Sequence, residues 1–167
     1  MVTNVGESLK KAKNKRIPGE KLSRPGHYRA NLNFKKENPP KVFSGNESIL
    51  IIEDEEMLLQ LEKTIFERLG YTIYSAENGI EGCRIFEQNQ NNIDLVILDM
   101  IMPKMDGPEA LKRIKRKKKS IKVILISGND LPKHIVDDFV AGGASAFIQK
   151  PFEIPQLTDL VRKVLDE

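Results

Sequence analysis

The chain has 167 residues, of which 31% are charged and 6% are aromatic, and its formal net charge is +3. One cysteine excludes an intrachain disulfide framework, and no apolar run is long enough to span a bilayer. Because the basic N-terminus lacks the apolar core of a signal peptide, we expect a cytoplasmic protein.

The first 45 residues differ in composition from the rest. They contain eleven Lys and Arg and three Glu, a net charge of +8, whereas the remaining residues sum to −5. Four prolines interrupt the segment, and its apolar residues follow no period. We predict a disordered basic extension and linker over 1–45 and one folded domain over 46–167. A solubilising extension, or the remnant of an upstream domain, is favoured over a basic arm for nucleic acid, anionic lipid or an acidic partner.

From residue 47 onward, short Ile, Leu and Val runs alternate with segments of helix length. This alternation is typical of βα units around a parallel sheet, and five units are enough for one domain with a sizeable core. The predicted strands are residues 48–52, 71–74, 93–98, 121–126 and 144–148.

The segments between these strands carry helix signals. Gly70 is a C-terminal stop for the first helix, Asn78 can cap the second, and Pro108 and Pro132 begin the third and fourth. Each helix has apolar residues at steps of three and four. These are Leu58, Leu61, Ile65 and Leu69; Cys83 and Phe86; Leu111 and Ile114; Ile135, Val136, Phe139 and Val140; and Leu157, Leu160, Val161, Val164 and Leu165.

Charged residues stand where three of the apolar runs end. Glu53 and Asp54 follow the first run, Asp99 follows the third, and Lys150 follows the fifth. If the runs are parallel strands of one sheet, three carboxylates and an ammonium converge at one edge. Carboxylates so close together must bind a cation or take up protons. A carboxylate cluster beside a lysine predicts a magnesium-dependent phosphoryl-transfer site.

Four segments of the chain resemble the receiver domain of bacterial two-component response regulators, of the kind also found at the C-terminus of hybrid histidine kinases. They are Ile-Leu-Ile-Ile-Glu-Asp-Glu-Glu, Leu-Asp-Met-Ile-Met-Pro-Lys-Met-Asp-Gly, Ile-Ser-Gly and Gln-Lys-Pro-Phe. They occur in family order and spacing across 47–167. The resemblance implies an α/β, flavodoxin-like, doubly wound sheet of five parallel strands in the order 2-1-3-4-5, with five helices.

The resemblance also implies the roles of the charged residues. Asp99 matches the phosphoacceptor, and Glu53 and Asp54 match the acidic pair that holds Mg²⁺. Asp99 and the backbone carbonyl of Ile101 would complete the metal ligands, and Lys150 matches the lysine that contacts the phosphoryl group. For Asp99, Asp54 and Lys150 the alternative is an ordinary cap or loop role.

Two further residues match switch positions. Ser127 matches the hydroxyl that donates a hydrogen bond once a phosphoryl oxygen exists to accept it, and Phe147 matches the aromatic switch residue. Ordinary packing on a strand is the alternative for Phe147. Ile101 cannot orient a hydrolytic water, whereas Asn129 is a candidate. The resemblance suggests a cis bond between Lys150 and Pro151, since X-Pro bonds reach cis at low cost.

The favoured function is a signalling switch that assists its own phosphorylation and dephosphorylation but is not otherwise an enzyme. It would accept a phosphoryl group from a sensor histidine kinase or histidine phosphotransfer protein and change the surface that an unknown output protein binds. The surface would lie on the fourth helix, fifth strand and last helix. One alternative is a magnesium phosphohydrolase of the haloacid dehalogenase type. That class places an Asp-x-Asp pair after the first strand, where this chain has Glu53-Asp54-Glu55.

Two basic regions leave a further alternative open. Residues 1–45 could make the protein a nucleic-acid-binding regulator, which salt-dependent retention lost on their deletion would indicate. A second basic run fills seven of the eight positions from Lys112 to Lys119. A solvated helix end that complements the helix dipole is favoured there over a docking patch.

Overall fold

The computed structural model describes residues 44–128 and 131–167, without the side chain of Lys133. Asn129 and nearly all of the predicted basic extension therefore lie outside the described residues. The strands are β1 (Ser48–Ile52), β2 (Thr72–Ala76), β3 (Leu95–Asp99), β4 (Lys122–Ser127) and β5 (Ala146–Gln149). The helices are α1 (Glu56–Arg68), α2 (Gly79–Asn89), α3 (Gly107–Lys117), α4 (Lys133–Ala141) and α5 (Ile154–Asp166).

The five strands form one parallel sheet in the order β2-β1-β3-β4-β5, which confirms the predicted fold class. The central strand β3 is buried at every position, as expected for a parallel sheet covered on both faces. Side chains alternate between the faces with a period of two. Leu50 and Ile52 pack toward α2 and α3, whereas Ile49 and Ile51 pack toward α1 and α5.

Several strands begin later than predicted. The first residues of the predicted strands instead donate hydrogen bonds to carbonyl oxygens at the ends of the preceding helices. The Tyr71 N–H donates to Phe66 O at 3.1 Å, so β2 starts at Thr72. The Ala144 N–H likewise donates to Phe139 O at 3.0 Å, and β5 starts at Ala146. Gly70, with φ of +95°, takes the left-handed conformation that ends α1.

The apolar stripe predicted for α1 is wrong by one residue. The buried positions are Leu59, Glu62 and Phe66, whereas Leu61 is 49% exposed. Two overlapping stripes with the same spacing run along this helix, and a charged residue in the middle of the buried one made it look polar. Packing against the sheet, which helix periodicity does not report, selects between them.

The other helices follow their predicted faces with one exception. Asn78 accepts a hydrogen bond from Glu81 N at 3.1 Å, as a helix cap does. In α4, Val140 is half exposed, unlike the rest of its predicted face. The buried helix residues are Cys83 and Phe86 in α2, Leu111 and Ile114 in α3, and Leu157, Val161 and Val164 in α5. Within the described residues, no helix is long and apolar enough to cross a membrane.

Candidate functional site

The carboxyl ends of β1, β3 and β5 bring the charged residues together. Glu53 follows β1, and its N–H donates to Ala76 O at the end of β2. Asp99 is the last residue of β3. Gly107 lets the start of α3 approach that strand end, because an added Cβ would lie 2.5 Å from the Asp99 carbonyl oxygen. The predicted convergence is therefore produced by parallel strands that end at one edge.

One carboxylate oxygen from each of Glu53, Asp54 and Asp99 lies within 4.8 Å of the others. Lys150 joins two of these groups, since its Nζ lies 2.8 Å from Glu53 Oε2 and 2.5 Å from Asp99 Oδ2. Glu53 and Asp99 are buried, whereas Asp54 is exposed. The predicted cis bond between Lys150 and Pro151 is present. The cluster thus has two carboxylates held inside by a lysine and one at the surface.

The electrostatics of this cluster follow from its burial. Loss of water raises the pKa of Glu53 to about 7, with the Asp99 charge adding to the rise and the Lys150 hydrogen bond opposing it. Burial alone would lower the pKa of Lys150. The hydrogen bonds to Asp99 and Glu53 outweigh that effect and raise it. The ammonium therefore remains charged at neutral pH, while Glu53 is near its midpoint.

The donor set suits a hard divalent cation. Mg²⁺ prefers oxygen ligands, and three carboxylates at one edge offer only oxygen. Asp99 Oδ1 accepts from the Ile101 N–H at 2.9 Å, and Glu53 Oε1 accepts from the Glu55 N–H at 3.2 Å. Within residues 44–128 and 131–167, Asp54 accepts no hydrogen bond. Its exposed carboxylate is the one left open to a ligand.

The predicted switch residues lie on the two strands beside this cluster. Ser127 ends β4, is buried, and accepts the Lys150 N–H on its carbonyl oxygen at 2.7 Å. That hydrogen bond ties the end of β4 to the residue that carries the ammonium. Phe147 lies in β5, opposite Leu125 of β4, and is half-buried against the core on the α2 and α3 face of the sheet.

Sequence reasoning missed one buried charged group, Glu62 in α1. Its side chain is 1% exposed, and neither carboxylate oxygen has a hydrogen-bond partner among the described residues. Burial raises its pKa to about 8, and the Glu53 charge adds to the rise. In the sequence, the only signal of this site is a glutamate between Leu59 and Phe66. Because a charged residue usually faces solvent, that signal favoured the adjacent stripe with Leu61 as the buried face.

The match to known proteins agrees with this geometry. The family model described as the response regulator receiver domain matches residues 49–162. The chain therefore belongs to the response regulator receiver family of two-component systems, whose members are phosphoacceptor signalling switches. The sequence-based assignment is confirmed, and it weighs against the phosphohydrolase alternative.

Curated relatives include whole proteins and parts of larger ones. The chain is 35% identical to sporulation initiation phosphotransferase F of Bacillus subtilis, over 72% of this chain and 94% of that protein. It is 31% identical to sensor kinase CckA of Brucella abortus over 74% of this chain, but this covers only 13% of that protein. Several transcriptional regulators are covered over about half of their length.

Solved structures repeat the fold. The CheX–CheY–BeF3–Mg complex from Borrelia burgdorferi matches at a TM-score of 0.68 and 33% identity, covering 71% of this chain and 88% of that one. The response regulator TrrA from Thermotoga maritima, in complex with Mg²⁺ and beryllofluoride, matches at a TM-score of 0.62 and 35% identity. That match covers 71% of this chain and 98% of TrrA.

Proposed function

We propose that the protein accepts a phosphoryl group on Asp99 in a magnesium-dependent reaction and changes its partner-binding surface in response. The donor would be a sensor histidine kinase or a histidine phosphotransfer protein. The observation that carries the proposal is the bridge from Lys150 to Glu53 and Asp99, which places one ammonium on a buried carboxylate nucleophile.

The chemistry assigns each residue a task. An Asp99 oxygen attacks phosphorus, the bond from phosphorus to the donor histidine nitrogen breaks, and that nitrogen keeps the electron pair. An acyl phosphate results. Since the transition state is loose, with charge on the equatorial oxygens, positioning and positive charge do most of the catalysis. Lys150 supplies one positive charge and is released from Asp99 to follow the phosphoryl oxygens.

Magnesium fits the same edge. Asp54 and Asp99, with the Ile101 carbonyl, would hold the ion, and Glu53 would act through water. The ion supplies charge neutralisation for the phosphoryl oxygens. We expect Asp54→Ala to abolish magnesium binding measured by calorimetry, and Glu53→Gln only to weaken it. Glu55→Gln, an adjacent exposed carboxylate outside the cluster, is the control. Equal losses at positions 53 and 54 would assign Glu53 to direct coordination.

The central test concerns Asp99. We expect a gain of one phosphoryl mass after incubation with acetyl phosphate and magnesium, and no gain in Asp99→Asn. Asp106→Asn is the matched control, because Asp106 caps α3 through a hydrogen bond from Glu109 N and asparagine caps equally well. Equal labelling of Asp99→Asn would refute the assignment, and turnover of a generic phosphate ester would revive the phosphohydrolase alternative.

The switch is proposed to run through Ser127 to Phe147. A phosphoryl oxygen on Asp99 would accept a hydrogen bond from the Ser127 hydroxyl, and the movement would make room for the Phe147 ring to turn inward. This is a local hydrogen-bond change with a wider effect on packing. Beryllofluoride should shift the amide signals of residues 131–152, and Ser127→Ala should still bind it with smaller shifts. Full shifts in Ser127→Ala would refute this route.

A further inference from the structure

The basic run of α3 lines a cavity that the phosphoacceptor function does not use. A cavity of about 520 Å³ lies between the C-terminal ends of α3 and α4. Its lining residues are Lys112, Lys115, Arg116, Lys119, Ala141, Gly142 and Gly143. Four cations and no carboxylate therefore surround one concavity.

The four cations share one face of α3 and the turn after it. Lys112, Lys115 and Arg116 occupy helix positions i, i+3 and i+4, and Lys119 lies after the helix C-cap Lys118 and also lines the cavity. Like charges four residues apart repel each other and destabilise a helix. The arrangement therefore raises the positive potential on the side that faces α4.

Two of the three neighbouring cations of the same run, Lys117 and Lys118, are compensated, unlike most of the cavity cations. Lys117 Nζ lies 3.3 Å from Glu87 Oε1, and Lys118 donates to two backbone carbonyl oxygens. In the described part of the chain, none of the four cavity cations lies within 4.0 Å of a carboxylate oxygen. Lys115 is compensated by a backbone oxygen beyond the helix, because its Nζ donates to Ile121 O at 2.6 Å. Complementing the helix dipole accounts for Arg116, which lies in the last turn of α3, but not for Lys112, which lies before that turn.

The walls of the cavity are shaped by glycine and by lysine stems. Gly143 has φ of +105°, and a Cβ there would lie 3.1 Å from Lys115 Cε. Lys115 thus passes against a residue without a side chain and holds the α3 end beside α4. The lysine stems and Ala141 provide apolar wall between the charged heads.

The cavity is remote from the phosphoacceptor edge. The Gly107 N–H donates to Met100 O, so α3 begins beside the end of β3. Its 11 residues then rise about 16 Å toward the opposite edge of the sheet. A ligand in this cavity would therefore not occupy the Asp99 site.

We propose that this cavity binds a small molecule carrying two or more phosphate groups. Its volume is in the range of small-molecule sites, about 300–1,000 Å³. Arg116 can engage a phosphate with two parallel hydrogen bonds, and the lysines act as point charges beside it. A concavity with apolar walls takes a compact polyanion with an organic part, whereas a nucleic-acid strand would follow an extended basic track.

Calorimetry in EDTA at 150 mM salt tests the proposal with inorganic tripolyphosphate and ATP as probes. We expect saturable binding with one site and at least a tenfold loss of affinity in Lys112→Gln/Arg116→Gln, because this double variant removes two charge-assisted contacts to the phosphates. Arg113→Gln/Lys117→Gln removes the same charge from the same helix outside the cavity lining, and should change affinity less than about twofold. Equal losses in the two double variants would overturn the proposal.

Two further measurements distinguish the cavity from the Asp99 site and a small phosphate ligand from a nucleic acid. Ala141→Glu keeps every cation but adds a carboxylate at the cavity, and should also weaken binding, whereas Asp99→Asn should leave it unchanged. Loss in Asp99→Asn, or no binding at 1 mM probe, would refute the cavity as the site. A 30-nucleotide single strand that displaces ATP, binds more tightly and shows a steep salt dependence would indicate a nucleic-acid surface instead.

Discussion

Two buried glutamates, one at the carboxyl edge of the sheet and one in α1, differ in the partners that surround their carboxylates. Glu53 is 2% exposed and lies 2.8 Å from the Lys150 ammonium. Glu62 is 1% exposed and has no hydrogen-bond partner among the described residues. Burial is the largest cause of a raised pKa in both, to about 7 and about 8. The side chain is the same, but within the described residues only Glu53 accepts hydrogen bonds, from Lys150 Nζ and from the Glu55 N–H.

The difference teaches what a partner does for a buried charge. The Lys150 hydrogen bond opposes the burial effect at Glu53, so this carboxyl can ionise near neutral pH. Glu62 has no such hydrogen bond and remains mostly protonated at neutral pH. The Glu53 charge raises the pKa of Glu62 and the Lys150 charge lowers it, so the two regions are linked electrostatically.

Replacing Glu62 should give the largest change in stability. Glu62→Leu removes a buried polar group without a partner, and we expect the free energy of unfolding to rise by several kcal/mol at pH 8. Urea unfolding followed by circular dichroism measures this. Glu67→Leu, at an exposed position of the same helix, is the control and should change stability by less than about 0.5 kcal/mol. A loss of stability in Glu62→Leu would mean that Glu62 has a stabilising partner.

The pH dependence of stability should report the same group. Because the folded pKa of Glu62 is raised from 4.5 to about 8, its contribution is fully present below pH 4.5 and is lost as the pH rises to about 8. The loss amounts to about 1.4 kcal/mol per pH unit in that window. In metal-free protein, Glu62→Gln should reduce the slope between pH 5 and 8, leaving the part that Glu53, with its pKa raised to about 7, contributes up to about pH 7. An unchanged slope would contradict the raised pKa.

At the carboxyl edge, two substitutions should move the pKa of Glu53 in opposite directions. Asp99→Asn removes a negative charge and should lower it, whereas Lys150→Met removes a hydrogen bond and a positive charge and should raise it. Carbon NMR titration of the labelled glutamate carboxyl in metal-free protein measures both. Movement in the same direction would show that a structural rearrangement outweighs the electrostatics.

Much of the charged cluster at the carboxyl ends of the strands was predictable from the sequence because its signal is local. Glu53, Asp99 and Lys150 each stand at the end of an apolar run, and the topology of a parallel sheet then brings these ends together. The strand boundaries were less accurate, since hydrogen bonds that close α1 and α4 use residues that look like strand. The sequence also did not show that Lys150 contacts Glu53 and Asp99 at the same time, which only the structure shows.

Glu62 and the cavity were not predictable because they depend on packing between elements. Periodicity gives the spacing of a stripe in α1 but not which of two adjacent stripes faces the sheet. In the same way, the basic run from Lys112 to Lys119 reads as a solvated helix end. Only the approach of α4 shows that four of its members line one concavity.

The smallest expected effect belongs to an exposed ion pair on the same helix as Glu62. Lys63 Nζ lies 3.9 Å from Glu67 Oε1, with side chains 37% and 50% exposed. Water and salt screen such a pair, which contributes about 0.3–0.5 kcal/mol at most. Lys63→Gln should therefore lower the free energy of unfolding by less than about 0.5 kcal/mol, and 1 M salt should remove the difference. A loss above 1 kcal/mol in urea unfolding would show that exposure does not decide the strength of charge pairs on this helix. The contrast with Glu62 would then need another cause than burial.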